Sequence, residues 1–157
     1  MRRADYRPSA ALAAVALAVA FMPAPARACT ISVTGVAFGA YDPQLPAPDD
    51  STGTVDLACH PSVQSPVVSM NAGSYGSMAT REMASGTNRL DYNLYTTIAR
   101  TVVWGDGSQG SATVTMTGGR VNAGVRRFSR TIYGRIPTGQ FVAPGTYGDT
   151  ITVTVTF

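Results

Sequence analysis

The stretch GTYGDTITVTVTF at residues 145–157 constrains the fold more than any other part of the chain. Ile151, Val153 and Val155 alternate with Thr150, Thr152, Thr154 and Thr156, and Phe157 closes the apolar series. Side chains of a strand point alternately to the two faces of a sheet, so the pattern specifies a strand with one apolar and one hydroxyl face. A regular apolar edge strand is a template for pairing with another chain, and proteins commonly blunt it. Here no polar residue follows Phe157. The question is what pairs with this strand.

The rest of the sequence repeats the same period in shorter runs. Cys29, Ile31 and Val33 alternate with Thr30, Ser32 and Thr34, and Val36 and Phe38 continue the run past Gly35 with a change of face. Residues 41–50, YDPQLPAPDD, read as a Pro- and Asp-rich loop. Val55, Leu57 and Cys59 alternate next, followed by the run Val67, Val68, Met70. Leu90, Tyr92 and Leu94 alternate again, and residues 102–104 lead into a Gly-Asp-Gly turn. Val114 and Met116 precede Gly118-Gly119, which predicts a hairpin turn. Residues 128–136 form a further strand. Helical periodicity is almost absent. Seven or eight short strands in one domain predict an all-β sandwich or barrel.

The N-terminus reads separately. Arg2, Arg3 and Arg7 precede an apolar run over residues 10–22, and Ala26-Arg27-Ala28 stands before Cys29. This is the pattern of a secretory signal peptide over residues 1–28, with the mature domain over 29–157. The run is shorter than the roughly 20 residues a membrane-spanning helix needs. No later stretch is longer, so no transmembrane segment is expected in the mature chain. A lipidated Cys29 is the alternative, but Ala26-Arg27 matches such a site poorly, and lipidation would leave Cys59 alone. Cys29 and Cys59 are the only cysteines. In an oxidising compartment they are expected to form a disulfide.

Charge narrows the function. The formal charge is +3, but residues 29–157 carry eight arginines, no lysine and eight acids. A neutral mature chain argues against binding nucleic acid through bulk charge. Gly105-Asp-Gly107-Ser-Gln-Gly110 fits a phosphate-binding glycine pattern, yet a threonine-rich strand follows it where a helix is required, so it reads as a hairpin loop. His60 is the only histidine, next to Pro61, and has no evident nucleophile or orienting acid. A hydrolase is therefore not expected, and no catalytic residue, metal ligand or cofactor site is assigned. Asp42, Asp49, Asp50 and Asp56 lack EF-hand spacing and read as a solvated loop region. Arg120, Arg126, Arg127, Arg130 and Arg135 crowd one segment, which reads as the solvent side of a hairpin or as an acid-binding patch. Tyr92, Tyr95 and Trp104 read as buried aromatics or as a carbohydrate platform.

Several motifs, in order along the mature chain, resemble one family. They are CTISVTGVAFGAYDP at 29–43, TGTVDLAC at 52–59, Arg81-Glu82-Met83, Leu90-Asp-Tyr92-Asn93-Leu94-Tyr95, Trp104-Gly105-Asp106-Gly107, Tyr133-Gly134-Arg135-Ile136-Pro137, and the terminal GTYGDTITVTVTF. Together they resemble the spore coat protein U domain family, which includes secreted coat proteins and subunits of archaic, Csu-like chaperone–usher pili. The resemblance implies an immunoglobulin-like β-sandwich that lacks its final strand and is completed by donor-strand complementation. It implies that a periplasmic pilus chaperone, and later a neighbouring pilus subunit, lends a strand, with an outer-membrane usher assembling the fibre. Ile151, Val153, Val155 and Phe157 would form the edge that faces the chaperone or donor strand. Ile31 and Val33 would stand across the groove. The expected function is a secreted structural pilus subunit in surface attachment and biofilm formation, passing through the periplasm to the cell surface. A self-sufficient secreted coat or carbohydrate-binding domain is the alternative. Cys29 lies almost at the expected mature N-terminus, whereas polymerising subunits of such pili carry a donor segment there. An acceptor or tip position is the expectation that follows.

Overall fold

The computed structural model describes residues 29–157; the expected signal peptide lies outside them. Nine strands are formed: β1 (Cys29–Thr34), β2 (Asp49–Cys59), β3 (Val67–Met70), β4 (Arg81–Ser85), β5 (Asn88–Tyr95), β6 (Val114–Thr115), β7 (Arg120–Asn122), β8 (Val125–Ile136) and β9 (Val153–Thr156). Among the described residues no helix is long and apolar enough to cross a membrane.

The strands form two sheets. One runs β1-β2-β8-β5-β4, with β7 also pairing to β8, and the other runs β6-β3-β9. Alternation decides which residues meet between them. Val55 and Leu57 of β2, Phe128, Ile132 and Ile136 of β8, and Val68 and Met70 of β3 are all buried, while polar residues such as Asp56, Ser69 and Ser129 stand between them. Trp104 fills the centre, fully buried, and its indole N–H donates to Val68 O at 3.0 Å. A buried indole N–H needs such a partner.

On one side the sheets are stitched together by residues 102–105. Trp104 N donates to Leu94 O at 2.9 Å on the first sheet, and Met70 N donates to Gly105 O at 3.2 Å on the second. On the opposite side, β1 and β9 each have one strand neighbour. No described strand lies between them. The sandwich is closed along one side and open along the other.

Several sequence expectations need correcting. Gly118-Gly119 is not a hairpin turn, because β6 and β7 on either side of it belong to different sheets. The tight turn comes later, at Ala123 and Gly124 between the paired Asn122 and Val125. Their φ values of 47° and 75° are the two positive values a two-residue type I′ turn requires. Val103 and Trp104, which lead into the Gly-Asp-Gly turn, make isolated bridges to Tyr95 and Ala112. Val36 and Phe38 leave β1 altogether and lie over the core as loop residues. That close approach depends on Gly134, where a Cβ would sit 2.6 Å from Val36 Cγ1 and 2.7 Å from Phe38 Cζ.

Candidate functional site between the first and last strands

Register fixes which way the two open strands face. In an antiparallel pair, directly opposed residues point to the same side of the sheet. Ile31 lies opposite Leu57, and Val33 opposite Val55. Leu57 and Val55 are in the core, so Ile31 and Val33 face the core side, yet they are 40% and 44% exposed. On the other lip Val153 lies opposite Met70 and Val155 opposite Val68. Both partners are buried, while Val153 and Val155 are only half-buried. Phe157, just beyond β9, is 53% exposed. Inward-facing apolar side chains on both lips are thus left without an opposing layer.

Between the lips runs a cavity of about 270 Å³. Met70, Met83, Tyr92, Leu94 and Ile132 form part of its lining, with Val33 on one lip and Ile151 and Val153 on the other. These core side chains stay buried, and it is the lip residues, Ile31 and Val33 exposed and Val153 half-buried, that meet solvent along this seam. The structure brings Val33, Ile151 and Val153 to one cavity. Ile31, Val155 and Phe157 stand on the lips beyond its lining. On their free sides β1 and β9 also present backbone N–H and C=O groups that no described strand pairs, as an edge strand does.

The disulfide lies at the start of the first lip. Cys29 and Cys59 are joined directly across the β1–β2 ladder, with S–S 2.05 Å. It clamps to the sheet a strand that has a single neighbour. Loop closure over 30 residues is the source of its stabilisation, typically about 2–4 kcal/mol.

The lead into the second lip is held by a polar web that sequence reasoning missed. Arg81 is fully buried. Its guanidinium donates to Asn71 O at 2.7 and 3.1 Å, to Trp104 O at 2.8 Å and to Asn93 Oδ1 at 2.6 Å. Among the described residues no carboxylate lies within ion-pair distance of it. Burial pulls its pKa down, while neighbouring Tyr92 and Asp149 favour the charge. Asn71, whose carbonyl Arg81 fixes, accepts from Thr152 N through Oδ1 at 2.9 Å and donates its own N–H to Thr152 O at 3.1 Å. Tyr92 donates to Asp149 Oδ2 at 2.7 Å, and Asp149 Oδ1 accepts from Ser74 N and Thr150 N. Burial, then the Asp149 bond, push the Tyr92 phenol far above its ordinary range, so it stays a neutral donor. Gly73 has φ +88°, and a Cβ there would collide with the Asp149 carboxylate. Arg81, Tyr92, Asn93, Trp104 and Asp149 all stand in the motifs that carry the family resemblance, and Arg81 two residues before Met83 also puts a charge on an apolar strand face.

The remaining candidates do not form a reactive site. His60 Nδ1 meets Ser62 Oγ at 2.7 Å in an exposed turn. Asp50 is held by Arg135 at 2.7 and 2.9 Å and lies 3.2 Å from Arg100, which keeps its carboxyl below the usual range. Burial and then the Asp50 charge push Asp49 up. No group of three potential metal ligands occurs among the described residues. Trp104 and Tyr92 are buried and Tyr95 is half-buried, so these three do not form one exposed stacking platform. The 105–110 glycines form a loop between Gly105 and Ala112, which exchange a backbone hydrogen bond of 2.9 Å.

Fold and seam together define an all-β, immunoglobulin-like sandwich with one side unclosed. The chain belongs to the spore coat protein U domain family, whose model matches residues 13–154. It is 31% identical over 179 aligned positions to Protein U of Myxococcus xanthus, across 94% of this chain and 96% of that protein. Its fold is also similar to a chain in the crystal structure of the CsuC–CsuE chaperone–tip adhesion subunit pre-assembly complex from the archaic chaperone-usher Csu pili of Acinetobacter baumannii. The TM-score is 0.61 at 23% identity, covering 83% of this chain and 40% of that one. The chain thus spans less than half the length of that structural relative.

Proposed function

We propose that this protein is a secreted structural subunit of a chaperone–usher pilus, acting as a strand acceptor in surface attachment and biofilm formation. Its seam takes an extended strand between β1 and β9, first from a periplasmic chaperone and then from a neighbouring subunit delivered by an outer-membrane usher. The observation that carries this reading is the pair of one-neighbour strands whose core-side residues, Ile31 and Val33 against Val153 and Val155, stand exposed or half-buried over an open cavity. Family membership and the fold shared with the Csu complex support it.

Magnitudes point the same way. An added strand that buries four inward apolar side chains would stabilise by roughly 1.5–3 kcal/mol for each, or about 6–12 kcal/mol together. Whole domains are stable by only about 5–15 kcal/mol. The empty sandwich is therefore marginal and the filled one firm. Main-chain pairing on both lips gives affinity without sequence specificity, and the cavity selects apolar side chains at alternate positions.

The test is expression of the precursor in a Gram-negative periplasm with and without a cognate chaperone, followed by sizing. The account expects degradation alone and a one-to-one complex with the chaperone. Replacing Val153 and Val155 together by Asp places two charges on the inward face of β9 and is expected to abolish capture. Capture that survives this change contradicts the assigned edge. A second reading, a self-sufficient coat domain, is favoured by the nearly end-to-end match to Protein U. A stable disulfide-bonded monomer without any chaperone would support that reading instead.

A further inference from the structure

The outer face of the larger sheet, opposite the seam, carries a feature that strand addition does not use. Arg120 of β7 and Arg127 of β8 are directly opposed across the ladder. Like charges directly opposite one another destabilise a sheet pair. No described carboxylate lies within ion-pair distance of either arginine. The ion pairs use Arg89, Arg100 and Arg135. Arg126 is spent on Pro61 O and Gly119 O, and Arg81 is buried on its carbonyls. Arg120 and Arg127 make no hydrogen bond or ion pair with a described side chain, and both are exposed.

The register extends the pair into a row. Arg120, Arg127, Ala58 and Thr30 lie side by side across four strands, and the next outward row is Ser129, Asp56 and Ser32. Small side chains beside two long ones leave a shallow trough, walled at one end by residues 117–119. Two guanidinium forks at one end offer planar, charge-assisted recognition of an oxyanion. Hydroxyls and the Asp56 carboxylate beyond them suit neutral hydroxyl groups, and Asp56 opposes a second closely following anion.

We infer that this trough binds an acidic polysaccharide, with a sugar carboxylate on Arg120 and Arg127 and neighbouring sugar hydroxyls on Ser32, Asp56 and Ser129. A uniformly charged polymer without hydroxyls meets repulsion at Asp56. A nucleic acid finds no aromatic stacking surface in the trough, since Phe128 is buried. Each site is exposed and hence weak and salt-sensitive. Many copies along an assembled fibre or coat would convert that weakness into avidity. The inference does not depend on the pilus reading, because the trough is on the outer face whether or not the seam is filled.

The test is calorimetric titration of the folded protein, in the form in which it is recovered, with polygalacturonate, polyphosphate and neutral dextran. Polygalacturonate is expected to bind, with affinity falling as salt rises, and dextran is not. Replacing both Arg120→Gln and Arg127→Gln is expected to weaken polygalacturonate binding about tenfold or more. Asp56→Asn is expected to strengthen polyphosphate binding. The double variant should unfold at the same or a higher urea concentration, because a repulsion is removed. Absent polygalacturonate binding, binding undiminished in the double variant, or polyphosphate binding as tightly as polygalacturonate to the unaltered protein each overturns the inference. A lowered urea midpoint contradicts the reading of the arginine pair as unpartnered.

Discussion

At the scale of single residues, the most consequential side chain is Arg81. It is a buried cation held by two backbone carbonyls and an amide oxygen, with no described carboxylate at ion-pair distance. Arg81→Met would fill the space and leave Asn71 O and Trp104 O without this donor, while Asn93 Oδ1 keeps the Leu94 N–H. At about 1–3 kcal/mol for each buried group left unsatisfied, the two should cost about 2 kcal/mol or more. Tyr92→Phe removes one bond to a carboxylate and should cost about 1.5–3 kcal/mol. Both losses are read as lowered urea midpoints at constant slope. Asp50 supplies a pH dependence. Its folded pKa is depressed below the ordinary 3.8, chiefly by the Arg135 bond. Its stabilisation is therefore complete above pH 3.8 and is lost as pH falls through the lower folded value. Acid unfolding of Asp50→Asn should lack that component. Arg81 was visible in the sequence as part of the Arg81-Glu82-Met83 motif, with no sign of its role. Its partners come from residues 71, 93 and 104, which no local pattern brings together.

At the scale of elements, the first and last strands differ in how they are tied down. β1 pairs with β2 alone and depends on the Cys29–Cys59 bond at its start. Replacing both cysteines by serine should cost about 2–4 kcal/mol. It should also loosen β1 first, seen as protease cleavage near Ile31 and Val33 before global unfolding. β9 is tied by side chains instead. Period-two alternation predicted a strand through Ile151, yet the ladder begins only at Val153. The physical reason lies in Asn71 and Asp149, whose carboxamide and carboxylate take the N–H groups of Thr152 and Thr150. Alternation records which face a side chain occupies and is silent on which partner takes the backbone. The same limit explains Gly118-Gly119. Two glycines between strands look like a hairpin, but Gly119 is needed because a Cβ there would strike the Phe128 ring at 2.5 Å.

At the scale of the whole molecule, the organising feature is an asymmetry of closure. Residues 102–105 join the sheets on one side, whereas on the other no described strand lies between β1 and β9, and the larger sheet reaches the segment before β9 through the Ala84–Gly148 backbone pair and the Tyr92–Asp149 bond. The two lips were legible because Ile31, Val33, Val153 and Val155 sit in strict alternation, and alternation plus burial fixes their direction. The cavity was not legible, because Met70, Met83 and Leu94 read locally as ordinary core residues and are buried as such; only the strand missing between the lips makes them line a cavity. The central claim is that this gap is a strand-binding site. Hydrogen exchange of the seam-facing amides of β1 and β9, compared between the chain alone and its chaperone complex, tests it most directly. The account predicts fast exchange along both lips in the free chain and strong protection on both in the complex. Lips already protected in the isolated chain, or unprotected in the complex, would contradict it.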